Sequence, residues 1–390
     1  MELPAKPATE SGAGRVFVGR RRELAELRAG WNDAVGGRGR FFLVVGEAGI
    51  GKTRLVEEVA HEATQHSCVT LWGRCWEGAG APLYWPWVQV VRAYLRVVRD
   101  ERPPIVLGVG AQYLGQLVPE LAAWLPDAAS VTGAVESEHA RFHLFDALAT
   151  FLKSAAERTP LVVVIDDLQW ADPASLLFMH FLTRELLDAR ILLLGTYREV
   201  EVRETAAIVE ALGALGREAR HVPLRGFDEG EVREFIEATT GRSASAALAQ
   251  AVRRDTEGNA FFVDEVLRLL VAERVLEHGA VAAPDKLPVP QGVRAAIRRR
   301  VAALPERCQE ALAVASVCGR DFDLAVVERA CDLHGEDLLE TLAPAVTREI
   351  VIREPHGTGR YRFAHALIRE TLYDEMPPAA RARCVWWTGW

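Results

Sequence analysis

The chain has 390 residues, 49% of them hydrophobic and 26% charged, with a formal net charge of −8. This balance excludes wholesale disorder and fibrous or low-complexity chains, and the length suggests two or three domains of roughly 100–200 residues each. No apolar run nears the ~20 residues of a membrane helix, no secretory core opens the chain, and six cysteines without a C-x-x-C pair read as reduced thiols in a cytoplasmic protein.

Residues 1–14 are small, polar and contain Pro and Gly, and read as a disordered leader. Apolar residues at 24, 27, 31 and 35 give helical spacing over Glu23–Val35. Gly36-Gly37-Arg38-Gly39 then breaks the chain before an unbroken apolar strand, Phe41–Val45. Leu161–Ile165 and Ile191–Leu194 repeat that pattern, and Val69–Trp72 and His221–Leu224 are weaker strands. Continuous apolar strands alternating with helices predict an α/β fold whose parallel sheet is covered on both faces.

The segment 73–160 is rich in Trp, Tyr and Pro and inserts before the strand at 161, with helical periodicity over Trp85–Val98 and Ala140–Ala156. Its cluster Trp72, Trp76, Tyr84, Trp85 and Trp87 has two readings. One is a ligand platform; the favoured one is packing of the insertion onto the sheet, because aromatic side chains bury large areas. Beyond residue 225 the pattern is helical, over Asp228–Thr239, Ser245–Thr256 and Phe261–Arg274. Ala280–Pro290 holds three prolines and reads as a linker. Short helices follow, then a hairpin formed by Ile350–Arg353 and Arg360–Phe363 around Gly357-Thr358-Gly359, which suggests a winged-helix domain over 291–378.

Gly46-Glu47-Ala48-Gly49-Ile50-Gly51-Lys52-Thr53 matches G-x-x-x-x-G-K-[ST] between a strand and a helical stretch beginning at Arg54, the context that motif requires, and these eight residues with Arg54 are the candidate nucleotide-binding set. Glycines let backbone N–H groups turn inward around phosphate oxygens, and the helix N-terminus adds partial positive charge. Lys52 is one of only four lysines among 46 basic residues; it is placed to reach the β- and γ-phosphates of ATP, or the β-phosphate of ADP, while the Thr53 hydroxyl is a ligand for Mg²⁺. Asp166 and Asp167 end the strand 161–165, where parallel sheets bind ligands. Asp166 is the metal partner through a water, and Asp167 the residue that orients an attacking water; helix capping is assigned instead to Asp172, which precedes Pro173. Thr196 and Arg198 follow the strand 191–194. Arg198 reads either as a γ-phosphate sensor or as a solvated loop arginine.

Six motifs together resemble the AAA-type ATPase module of bacterial STAND regulators: "FVGRRREL" from Phe17, the glycine loop, "VVVIDDLQWADPASL", "LLLGTYREV", "TEGNAFFVDEVLRLL" and "YRFAHALIRETLYDEM". Such modules occur in LuxR-type transcriptional regulators and beside cyclase or kinase domains. The likeness runs over about residues 15–378. It implies a P-loop NTPase domain over 15–225, a helical lid over 226–283 and the winged-helix domain. It also implies that Val18-Gly19-Arg20 contacts adenine, that Arg198 is a sensor arginine and that His365 meets the ADP β-phosphate; a structural helix-start role for His365 stands equally. Ala260 replaces the usual proline of Gly-Asn-Pro-Phe-Phe, which implies a looser grip on nucleotide. Residues 379–390, with Trp386, Trp387 and Trp390, resemble no continuation of the family and read as a truncated tail, with a short aromatic tail that docks on the protein or a partner as the alternative.

These features lead to a nucleotide-driven switch with weak ATPase activity, associating with a protein partner or with itself in the ATP state, without membrane contact. Two alternatives are an origin-recognition-like DNA-binding ATPase and a nucleotide-binding scaffold without turnover. Residues 290–376 hold 12 arginines against 14 acids, and an acidic balance suits DNA poorly, because affinity rests on neutralising phosphates. The cluster Arg294, Arg298, Arg299 and Arg300 is what keeps the DNA reading open.

Overall fold

The computed structural model describes residues 16–76, 81–98, 110–124, 138–198, 206–272, 290–331, 335–348, 350–353, 359–378 and 380–381. The expected leader, nearly all of the linker, Gly357 and Thr358, and the tryptophan tail lie outside them. The described chain separates into a unit over Arg20–Leu224 and a unit over Arg225 onward, to which the segment before Arg20 also belongs.

The first unit runs α1 (Arg21–Val35), β1 (Arg40–Val45), α2 (Lys52–Gln65), β2 (Val69–Arg74), α3 (Trp85–Val97), α4 (Ala111–Leu117) and α5 (Glu138–Arg158). It continues with β3 (Leu161–Asp166), α6 (Pro173–Glu185), β4 (Ile191–Tyr197), α7 (Ala206–Glu218) and β5 (Arg220–Pro223). The five strands form one sheet in the order β2-β3-β4-β1-β5, and every pairing is parallel. Phe42, Leu43, Val44, Val162, Val163, Val164, Leu192, Leu193 and Leu194 are all fully buried. That is the double-sided burial their unbroken apolar runs imply.

β4 is longer than its apolar run suggests, extending through Gly195 and Thr196 to Tyr197. Gly195 is packed between Leu43 of β1 and the turn carrying Leu168, where a β-carbon would be crowded by both leucines. β5 starts one residue earlier than expected, at Arg220, and ends at Pro223.

The aromatic insertion divides into two roles. Trp87 is fully buried; its indole N–H donates to the Ser175 carbonyl at 3.1 Å, and its ring meets Phe178 edge-on at 4.6 Å. Tyr84, at φ 62°, is buried against Phe145. Trp76, by contrast, is 59% exposed, so packing on the sheet does not account for it. α3 lies so close to β2 that a β-carbon on Gly73 would collide with the Pro86 carbonyl.

The second unit begins with α8 (Glu229–Thr240), α9 (Ala246–Thr256) and α10 (Ala260–Ala272) around a core that includes Phe227, Val232, Leu248 and Val263. Capping fixes the first two helices. Asp228 and Glu231 form a reciprocal capping box on α8, Gly241 ends it at φ 68°, and Ser245 caps α9. Then come α11 (Gln291–Ala302), α12 (Glu306–Cys318), β6 (Asp321–Asp323), α13 (Leu324–Cys331), α14 (Glu336–Thr347), β7 (Val351–Arg353), β8 (Arg360–Phe363) and α15 (Ala366–Glu375). β7 and β8 pair antiparallel, as the hairpin expectation requires, and β6 adds to the far edge of β8.

Candidate functional site

Sheet register gathers the candidate residues of the first unit at one edge. Val45 lies beside Tyr197 across β1 and β4, and Ile165 beside Gly195 across β3 and β4. The loop after β1, the end of β3 and the end of β4 therefore emerge side by side at the carboxyl ends of the strands, where open α/β sheets form their ligand crevice.

The glycine loop has the backbone that cradling an anion requires. Gly49 and Gly51 lie at φ 77° and 105°, conformations that side chains other than glycine rarely adopt. Gly51 directly precedes α2. Lys52 is buried, and its ammonium donates to the carbonyls of Gly46 (2.9 Å) and Glu47 (2.8 Å), which fixes its charge within the loop. Arg20, also buried, donates to the Ile50 carbonyl at 3.1 Å, so the arginine of the Val18-Gly19-Arg20 segment supports the loop tip. Val18 is buried and Gly19 sits at φ 64°. Arg54 points along α2, pairing with Glu58 at 3.0 Å.

Thr53 and Asp166, 113 positions apart, meet. The Thr53 hydroxyl donates to Asp166 Oδ1 at 3.1 Å. Asp166 is 1% exposed and also accepts from the Thr196 hydroxyl at 2.6 Å and the Arg74 guanidinium at 3.1 Å. Among the described residues no group of three or more His, Cys, Asp or Glu side chains is placed to hold a metal. A hydroxyl and a carboxylate beside a phosphate-type loop are instead the oxygen donors that Mg²⁺ uses together with waters and substrate phosphates, so the residues present fit that ion.

Asp167 stands at φ 61°. Its N–H donates to Thr196 Oγ1 at 3.0 Å, and its carboxylate accepts from the Gln169 amide at 2.9 Å. Gln169, nearly fully buried, also accepts from the Arg198 backbone N–H at 3.2 Å. Asp167 and Arg198 are thus tied to one amide. Asp172 caps α6 as expected, accepting from the Ser175 N–H at 2.9 Å and the Ser175 hydroxyl at 2.6 Å.

His365 belongs to the second unit. It is buried at the start of α15, edge-on to Phe262 and 4.0 Å from Glu257, which also pairs with Arg320.

Thr196, Arg74 and Gln169 complete the constellation without having been assigned roles from sequence. Arg74 carried a faint signal, being an arginine at the exposed end of a strand neighbouring the acidic pair. Thr196 carried none, because threonine is an ordinary strand residue.

Residues 16–194 match the family model of the AAA ATPase domain. An uncharacterised protein of Rhizobium meliloti is 22% identical over 376 residues, which is 93% of this chain and 35% of that protein. The chain thus spans about a third of the length of this curated relative. The fold is similar to that of a Walker-type ATPase of Pyrococcus abyssi, with a TM-score of 0.51 and 12% identity, covering 91% of this chain and 96% of that one. It is also similar to the Aeropyrum pernix ORC2 protein, solved as ADPNP and ADP complexes, with a TM-score of 0.53 and 15% identity over 91% of this chain and 93% of that one.

Proposed function

We propose that this chain, which carries an AAA-type P-loop ATPase module, is a nucleotide switch that binds Mg-ATP, hydrolyses it slowly and regulates a partner through the difference between its ATP and ADP forms. The observation that carries this reading is the 3.1 Å approach of the Thr53 hydroxyl to Asp166 beside the glycine loop. Two parts of the sequence far apart in the chain build one site for a phosphate chain and its hard cation.

Mg-ATP would supply the cleavable phosphoanhydride and the metal charge. The loop N–H groups between Gly46 and Thr53 would hold phosphate oxygens, Lys52 would lend a positive charge to the outer phosphates, and Thr53 and Asp166 would hold Mg²⁺. Asp167, held by Gln169, would orient the attacking water. Arg198, whose backbone is held by the same amide, would neutralise charge developing on the transferred group. Phosphoryl transfer needs positioning and charge neutralisation more than covalent chemistry, and an arginine supplied in trans accelerates it by ~10³–10⁵. Slow basal turnover, raised by self-association or by a protein partner, follows from that. We assign Val18-Gly19-Arg20 to the adenine side and His365 to the ADP β-phosphate, both on the resemblance. No helix among the described residues is long and apolar enough to cross a membrane; we place the switch in the cytoplasm.

The DNA-binding alternative is weakened, because three of the four arginines of the basic cluster have internal partners. Arg294 pairs with Asp374 at 2.8 Å, Arg298 with Glu375, and Arg300 donates to the Arg348 carbonyl at 2.8 Å.

Calorimetric titration of ATP and ADP, with and without Mg²⁺, tests the proposal. Wild type is expected to bind both nucleotides, Lys52→Ala to lose at least tenfold in affinity, and Asp166→Ala to lose the Mg²⁺-dependent part alone. Equal binding by wild type and Lys52→Ala would overturn the reading.

A further inference from the structure

A second crevice, of about 180 Å³, opens at the carboxyl ends of β2 and β3. None of its lining residues belongs to the glycine loop. Three indoles converge on it, from Trp76, Trp85 and Trp170, with Pro86 and Cys75 beside them and Asp172 as the one charged lining side chain among the described residues. We propose that this crevice binds a small organic cation of the substituted-ammonium class.

Four observations select that chemistry. Indole faces carry negative potential and attract cations, and three indoles line this one space. Trp85 already behaves this way, with the Arg92 guanidinium over its ring at 5.9 Å from the centroid. Asp172 adds a formal negative charge, and its carboxylate oxygens are held by the neutral donors of Ser175, which leave that charge in place. Among the described residues no Lys, Arg or His lines the crevice, which disfavours a phosphate or carboxylate. Its volume lies below the ~300 Å³ at which drug-sized pockets begin, which suits a compact head group.

The site also explains Trp76. A 59%-exposed indole contributes little to the core, but one at the rim of a cation crevice is placed to close over an occupant. The walls adjoin the acidic pair: the Cys75 N–H donates to the Asp166 carbonyl at 3.0 Å, and the Trp170 N–H to the Asp167 carbonyl at 2.9 Å. An occupant would therefore touch backbone that positions both carboxylates.

The test uses the full chain and choline, with 3,3-dimethylbutan-1-ol as its uncharged isostere at matched ionic strength, followed by calorimetry and tryptophan fluorescence. Saturable choline binding is expected, at least fivefold tighter than that of the alcohol. Trp76→Ala, at an exposed position, should weaken choline by about fivefold to thirtyfold. Asp172→Asn, which retains an oxygen to cap α6, should weaken choline while leaving the alcohol unchanged. Equal affinity for choline and the alcohol, or no saturation by choline below about 10 mM, would overturn the proposal. Binding here needs no nucleotide, so either outcome leaves the ATP-site experiments independent.

Discussion

Thr196→Val isolates the joint that holds the acidic pair. Thr196 is fully buried, and its hydroxyl makes two bonds of opposite sense: it donates to Asp166 Oδ1 at 2.6 Å and accepts from the Asp167 N–H at 3.0 Å. Valine keeps the shape and removes both. An unsatisfied N–H costs about 1–3 kcal/mol, and a hydrogen bond to a charged group is worth about 1.5–3 kcal/mol. Asp167 also sits at φ 61°, a left-handed conformation costing about 1–2 kcal/mol that the Thr196 bond helps to hold. Asp166 keeps its donors from Thr53 and Arg74, which limits the total, so we expect a loss of about 3 kcal/mol. For a unit of roughly 200 residues that lowers Tm by about 6–12 °C. Thr196→Ser restores the hydroxyl and should lose only the methyl contribution, about 1 kcal/mol. Urea and thermal unfolding of the full chain, with Mg²⁺-dependent ATP binding as second readout, measure both variants. If valine and serine behave alike in stability and in Mg²⁺ dependence, Thr196 does not organise the pair.

Asp167→Asn should retain nucleotide binding and slow hydrolysis at least tenfold in a phosphate-release assay; unchanged turnover would remove Asp167 from the catalytic role. Gly73→Ala must push α3 away from β2, because the obstacle is the Pro86 carbonyl, and should cost about 1–3 kcal/mol in urea unfolding; a wild-type midpoint would contradict that close approach. At Glu218, burial works against the charged form, but the Thr183 hydroxyl and then the charges of His180 and Arg184 outweigh it and hold the carboxyl below its usual range. Its contribution to stability should therefore be complete above the ordinary carboxylate pKa of ~4.3 and disappear as pH falls through the lower folded value. Glu218→Gln should flatten the acid limb of unfolding free energy measured from pH 6 to 3, and an unchanged limb would refute the assignment. With Arg294, Arg298 and Arg300 engaged, the full chain should give no gel shift on duplex DNA at physiological salt; a tight, salt-sensitive shift would restore the DNA reading.

The phosphate side of the site was legible in the sequence because its chemistry is local. Glycines at fixed spacing, Lys52 and Thr53 fall within eight consecutive residues after a strand, and Asp166 ends the next strand of unbroken apolar character. The sheet was legible for the same reason, since burial on both faces leaves no polar interruption. What sequence concealed depends on register. Thr196 acts on Asp166 and Asp167 only because β3 and β4 align Ile165 with Gly195, and no local pattern reports that alignment. Gly195, beyond the apolar run, extends β4 as a spacer between Leu43 and Leu168. The tryptophan cluster contained both of its readings, Trp87 as core and Trp76 at a crevice, and only burial separates them.

The central claim is that the glycine loop and the Thr53–Asp166 pair form a working nucleotide site. Its most direct test is the nucleotide content of protein purified without added nucleotide, wild type beside Lys52→Ala. We predict ADP or ATP retained in wild type and lost in Lys52→Ala. Wild type without copurified nucleotide, and with no binding of either nucleotide at micromolar concentration, would contradict the account.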